Sequence, residues 1–448
     1  MFIMKIILFK NRQLLFHFLQ IILSAFGIGL ARLLLPFRII ELGGGESLVS
    51  FSSFLYAIGQ IGGLIILSKM SGKRRESFFI VMLMWFSSLT IMFFPFLFTA
   101  VVSRFFEGLG YGLLVIAILN YAESFFQENK GEVVGTLFGS IFLGGAIGQG
   151  LAGFFEEKLF GSVINWILTP FQIVLLIGMC FTFLSLILSI FQLKEIKNKK
   201  IFEITSLSLP HFHFKNIKNL FKYTPFLLLL LIYSLYDFAH GIYTPNLPLV
   251  LSEHNISKIH ISLIFFTGDA VWGIAQIFTG KLVDKLGSWI PMALSMIIKG
   301  LGVAGYNLIY AWIGVLFLFI IVGMGESLME PARNIAILDI ENYFDSKLSK
   351  NKVVHKHKHL NISISRGQGF TFGVHSHLHE HKPSKESMIM GLQLVGILAF
   401  ALGGIVGSVI LNIGGTAEFL IYIGAVVLII SSLVGGLGQI FKNRNFED

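Results

Sequence analysis

Apolar residues in this chain come in long unbroken runs, not in alternation. Twelve such runs cover roughly 14–40, 47–68, 77–97, 99–123, 132–154, 164–192, 224–250, 258–280, 288–309, 311–338, 387–411 and 417–440. A helix of about 20 apolar residues crosses the hydrocarbon of a bilayer. Only helices and closed barrels satisfy every backbone group in lipid, and continuous hydrophobicity favours helices over barrel strands. The pattern predicts an all-α integral membrane protein with 12 transmembrane helices. The first twelve residues and the run behind them imitate a signal peptide. That run continues past Ala31 without a small-residue cleavage site, so it is read as the first span.

The polar stretches between the runs alternate in charge. With Met1 in the cytoplasm, the inner segments hold 27 of the 34 Lys and Arg residues, and the outer ones hold three, Arg38, Lys158 and Lys258. Such a bias orients membrane proteins with their basic segments inside. It predicts a multi-pass protein of the cell (plasma) membrane with both termini cytoplasmic. The net charge of +9 follows from this bias and needs no nucleic-acid partner. Only 13% of residues are charged, against about 25% in soluble domains. Cys180 is the sole cysteine, so no internal disulfide forms. No G-x-x-x-x-G-K-[ST] phosphate loop occurs, which disfavours nucleotide-driven transport. No constellation for an enzyme stands in the spans either, and no cofactor is required.

The two halves of the chain repeat. At an offset of 215 residues, Lys69-Met-Ser-Gly72 falls on Asp284-Lys-Leu-Gly287, and Gly108-Leu-Gly110 falls on Gly323-Met-Gly325. Gly144 to Gly148 resembles Gly403 to Gly407 at an offset of 259, so 44 residues are inserted in the second half. The chain therefore divides into an N-terminal six-helix bundle (1–192), a basic central linker (193–223) and a C-terminal six-helix bundle (224–448). The second bundle carries a His-rich cytoplasmic insert (341–386) between helices 10 and 11.

Gly280-Lys-Leu-Val-Asp284-Lys-Leu-Gly287 reads G-x-L-x-D-x-x-G and resembles the loop signature of the major facilitator superfamily of secondary transporters. A damaged copy stands in the first half, with Lys69 in the acidic position, Gly72, and the basic end at Arg74. The glycines suit a tight turn, and the acid suits a place against a helix N-terminus. Arg104 to Gly110 resembles the R-x-x-x-G-x-G pattern of the fourth span, whose arginine the family associates with proton coupling. Gly135, Gly144, Gly148 and Gly153 match most of a fifth-span pattern of drug–proton antiporters, with Gln149 in place of its proline and Ala152 in place of a glycine. The same small residues also serve close helix packing. The resemblance implies two six-helix bundles around a central cavity, and a proton-coupled antiporter of drugs or metabolites exporting a small molecule.

Charges inside spans are costly, about 2.5–3.5 kcal/mol each on insertion scales, and so are candidates for function. In the family, spans one, four, seven and ten line the cavity. Here they carry Arg32; Arg104 and Glu107; Asp237 and His240; Glu326, Glu330 and Arg333. Spacings of three and four put partners on one helix face. Glu107 or Glu330 can exchange protons, with a cargo that displaces a neighbouring arginine shifting protonation, or the groups can be structural ion pairs. Arg32 can instead attract an anionic cargo. Pro331 is expected to free a carbonyl in its helix. Asp269 and Lys299, on spans eight and nine, read as a mutual structural pair, and His17 and His240 as packing or hydrogen-bonding groups.

Seven of thirteen histidines crowd into the insert: His355, His357, His359, His375, His377, His379 and His381. Their alternate spacing puts imidazoles on one face of a strand, and Gly367-Gln-Gly369 can close a hairpin; a loop without fixed structure is the competing reading. Clustered imidazoles suit zinc, nickel, cobalt or copper. The expected partners are the bilayer, a small-molecule or ion cargo, and protons. Beside export of a small molecule stand two alternatives: a transition-metal transporter with this loop as collector, and a non-transporting metal-responsive receptor on the same fold.

Overall fold

A computed structural model describes residues 11–69, 76–125, 130–159, 168–197, 224–354 and 385–446. Twelve long helices account for nearly all of them: α1 (Arg12–Glu41), α2 (Glu46–Lys69), α3 (Glu76–Phe93), α4 (Leu97–Phe125), α5 (Lys130–Phe154), α6 (Pro170–Lys197), α7 (Thr224–Tyr243), α8 (Lys258–Leu286), α9 (Trp289–Tyr306), α10 (Trp312–Val354), α11 (Lys385–Asn412) and α12 (Ala417–Phe446). No strand occurs among the described residues. Among the described residues, ten of the twelve helices are long and apolar enough to cross a membrane. α3 offers a shorter apolar stretch, Ser77–Phe93. α8 is outside the ten and carries Lys258, Asp269, Lys281, Asp284 and Lys285.

Local chemistry sets several helix ends. Asn11 caps α1 by accepting from the Leu14 amide at 3.1 Å. α5 ends in a π-helical turn, Phe155–Leu159. The span expected at 224–250 breaks at Tyr243 and resumes as a short helix, Leu247–Glu253, with Pro248 in its first turn. α8 stops at Gly287, whose φ of 75° favours glycine, so one glycine of the loop signature has a backbone reason. α10 runs to Val354, so the first fourteen residues of the expected insert continue a helix. The proposed hairpin, the seven clustered histidines, Gly72, Arg74 and most of the central linker lie outside the described residues.

Packing repeats from one half to the other. α1 packs on α5 and α6, α2 on α4, and α3 on α4 and α6; α7 packs on α11 and α12, α8 on α10, and α9 on α10 and α12. Across the halves, α2 meets α11 and α5 meets α8. The matched glycines do matched work. A Cβ at Gly108 would strike the Tyr56 carbonyl on α2, and one at Gly110 would strike Trp85 on α3. A Cβ at Gly323 would meet the Gly268 carbonyl on α8, and one at Gly325 would meet Ile298 on α9. Large apolar side chains such as Phe98, Phe191 and Leu433 stay exposed on the outer faces, as lipid contact requires. Serines fill the inner contacts: Ser24, Ser88, Ser103, Ser140 and Ser185 are fully buried.

Candidate functional site

In the N-terminal bundle three charges converge. Arg32 of α1 donates from Nε and Nη2 to Glu107 Oε1 at 2.9 and 2.8 Å. Arg104, one turn before Glu107 on α4, pairs with Glu107 Oε2. Trp85 Nε1 donates to the Glu107 backbone carbonyl at 3.2 Å, tying α3 to this point. Tyr56 of α2 lies beneath both cations, with guanidinium carbons 4.5 Å (Arg104) and 5.9 Å (Arg32) from the ring centroid. The glycine contact between Gly108 and Tyr56 makes that stacking possible. Pro36 removes the helical bond to the Arg32 carbonyl, loosening α1 where this side chain leaves it. Glu107 is 2% exposed, whereas the Arg32 side chain is 41% exposed. Arg32 is therefore the accessible member of the pair and Glu107 the sealed one.

The C-terminal bundle holds a second cluster. Lys299 of α9, fully buried, pairs with Glu326 of α10 at 2.5 Å. It also donates to the Tyr236 hydroxyl at 3.0 Å and to His240 Nδ1 at 2.9 Å, both on α7. Because Lys offers only donors, His240 Nδ1 accepts and the ring proton sits on Nε2. Lys299 also lies 4.1 Å from the Tyr236 ring centroid. Arg333 stacks on Tyr233 at 4.7 Å. The carbonyl that Pro331 frees belongs to Ser327, and Thr279 of α8 takes it at 2.7 Å.

These contacts correct the expected pairing of Asp269 with Lys299. α8 packs on α10 and α5, while α9 turns to α10 and α12, so the two residues face different neighbours. Asp269 instead accepts from Gln149 Nε2 of α5 at 2.9 Å, across the two bundles. It also lies within electrostatic range of Arg32 and Glu326. Gln149 is one of the two residues that depart from the fifth-span pattern, and that departure was the available signal. Tyr56 and Tyr236 carried no signal in the sequence beyond being aromatic. His17 stacks on Phe78 at 4.1 Å and bonds Gln20 at 3.0 Å, a packing role.

One end of the molecule is closed between the bundles. Lys258 at the start of α8 reaches Glu156 at 3.0 Å and Glu41 at 3.6 Å, and its amide donates to Glu157 at 2.9 Å. Asn246 donates to Ser50 at 2.6 Å, and the Gly153 amide donates to Ser262 at 2.7 Å. The charge bias predicts this end to face outside. Gly144 and Gly148 abut the backbone of α1, and Gly153 abuts the Lys258 carbonyl of α8. At the other end, Lys69 closes α2, while Gly280 and Asp284 lie in α8. Asp284 is in the last turn of α8, so any helix N-terminus it meets belongs to another helix. The side chains of Lys69, Asp284 and Glu330 and the packing of Gly135 lie outside what the structure describes. Among the described residues no three His, Cys, Asp or Glu side chains group to hold a metal.

The family model described as Major Facilitator Superfamily matches residues 18–340. A solved structure described as the crystal structure of nucleoside transporter NupG is similar in fold, with a TM-score of 0.65 at 10% identity. The match covers 96% of this chain and 99% of that one. No curated protein matches the chain in sequence.

Proposed function

Because the chain belongs to the Major Facilitator Superfamily, we propose that it is a secondary transporter moving a small organic solute by alternating access, coupled to a proton through Arg32 and Glu107. The observation that supports this most is the uneven exposure of that pair. Glu107 is sealed and held by two arginines, while one of them, Arg32, reaches the cavity. An anionic group on the cargo competes for Arg32. When Arg32 turns to the cargo, Glu107 keeps one counter-charge where it had two. A carboxylate 2% exposed has no water to make up the difference, and a proton does so. Cargo and proton then bind together, each favouring the other by the same factor.

The closed end supports alternating access. Its contacts join the bundles through one lysine, three carboxylates and a few polar bonds, which a rocking motion can break and remake. Gly144, Gly148 and Gly153 have packing partners on α1 and α8, which accounts for them without export, and co-binding is what Arg32 and Glu107 support. The metal alternative has its ligands in residues 355–381, outside those described, and deletion of that segment tests it.

The cargo need not be identified beforehand. Proteoliposomes under an imposed pH gradient are incubated in a water-soluble cell extract, and their contents are read by mass spectrometry. The expected result is enrichment of one or a few solutes over empty liposomes, lost with a protonophore and lost in Glu107→Gln. No enrichment, or enrichment unchanged in Glu107→Gln, overturns the proposal.

A further inference from the structure

Unspent hydrogen-bonding capacity around the cavity bears on what the cargo is. An ammonium has three donors, and Lys299 spends all three on Glu326, Tyr236 and His240. Asp237, beside Tyr236 on α7, feels the charge of Lys299. Yet among the described residues no hydrogen bond or ion pair reaches its carboxylate. Its Oδ2 fills the space that a side chain at position 396 would take, since a Cβ on Gly396 would strike both Asp237 and the Tyr233 ring. Asp237 is half-buried, and its oxygens are not among the polar atoms sealed from solvent. A carboxylate so placed lacks a donor.

On the other side the shortage is reversed. Arg32 spends Nε and Nη2 on Glu107, and its Nη1 has no partner among the described residues. Aromatic rings lie between the two groups. Tyr56, under Arg32, is 6.4 Å from Phe400, and Phe400 is 6.1 Å from His240, one turn from Asp237. The cavity thus presents spare donors at one end, a bare acceptor at the other, and two ring-to-ring steps between them.

We propose that the cargo is an elongated zwitterion, its anionic group on Arg32, its ammonium on Asp237, and an apolar or planar middle along Tyr56, Phe400 and His240. This rests on the transporter reading above. A cargo whose two charges sit on adjacent carbons cannot reach both ends, so the preference is for charges at opposite ends of the molecule.

The test is binding to the full chain in nanodiscs by isothermal titration calorimetry. Three probes of one shape are compared, each with two linked rings to match the two ring-to-ring steps: 4'-(aminomethyl)biphenyl-4-carboxylate, which carries both charges, 4'-methylbiphenyl-4-carboxylate, and (4'-methylbiphenyl-4-yl)methylamine. The zwitterion is expected to bind at least roughly tenfold tighter than either singly charged probe, the scale of one charge-assisted hydrogen bond. Asp237→Asn should bring the zwitterion down to the affinity of the anion and leave the anion unchanged. Arg32→Gln should bring it down to the affinity of the amine. If Arg32→Gln does not fold, Asp237→Asn decides alone. Equal binding of all three probes, or a zwitterion preference that survives Asp237→Asn, overturns the inference. Because binding is read without flux, this result is separate from the transporter reading. An enriched solute in the liposome experiment that lacks an ammonium would sink this inference and leave transport standing.

Discussion

Lys299→Met tests whether the second cluster is the one described. Lys299 is 0% and Glu326 13% exposed, so the substitution leaves a buried carboxylate without its counter-charge. Breaking a buried pair from one side costs about 3–5 kcal/mol. Each kcal/mol shifts the melting point of a domain of comparable size by about 2–4 °C, so a fall of roughly 6–20 °C is expected. Lys299→Met with Glu326→Gln removes both charges and should recover much of the loss, a coupling of about 2–3 kcal/mol. Lys299→Met with Asp269→Asn should show no such recovery, because Asp269 bonds Gln149. The assay is thermal unfolding in nanodiscs of fixed lipid, followed by tryptophan fluorescence. Recovery by Asp269→Asn in place of Glu326→Gln would refute the assignment, as would a Lys299→Met protein as stable as the parent.

Three further outcomes follow from the same contacts. Lys258→Ala removes a partly exposed pair between the bundles worth up to about 1 kcal/mol; in a Cys180→Ser background carrying Ser50→Cys, the new thiol should then label with an impermeant reagent roughly two to five times faster, and unchanged labelling would count against the closed end. Gly108→Ala should lower the melting point by forcing α2 from α4, whereas Gly139→Ala, with nothing within 4 Å, should leave it level or raise it; equal effects would contradict the packing described. Deleting residues 355–381 should abolish zinc binding by calorimetry and leave solute flux intact; zinc flux that disappears with the deletion would favour the metal reading.

Much of the fold was legible because lipid imposes a simple rule. Runs of apolar residues long enough to span had to be helices, and the glycine matches at one offset recur as matching contacts, Gly108 on α2 and Gly323 on α8. The Arg104–Glu107 pair followed from helical spacing alone. What spacing cannot give is which neighbour a face meets. Asp269 and Lys299 stand on consecutive helices, and consecutive helices invite pairing, yet α8 and α9 are turned to different partners. Arg32 was legible as a charge in a span but not as a partner of Glu107, 75 positions away. The break at Thr244–Asn246 escaped because apolar residues continue through it and Pro245 and Pro248 are the only local signs.

Binding of cargo and proton together at Arg32 and Glu107 is tested most directly by the direction of proton movement. A solute that enters the proteoliposomes is allowed to flow down its own gradient, and a pH dye trapped inside reads the lumen. The predicted result is that the lumen acidifies as solute enters, about one proton per solute by the linkage of the two sites, and that Glu107→Gln carries solute without that acidification. A lumen that turns alkaline as solute enters would mean exchange of cargo for proton and would contradict co-binding.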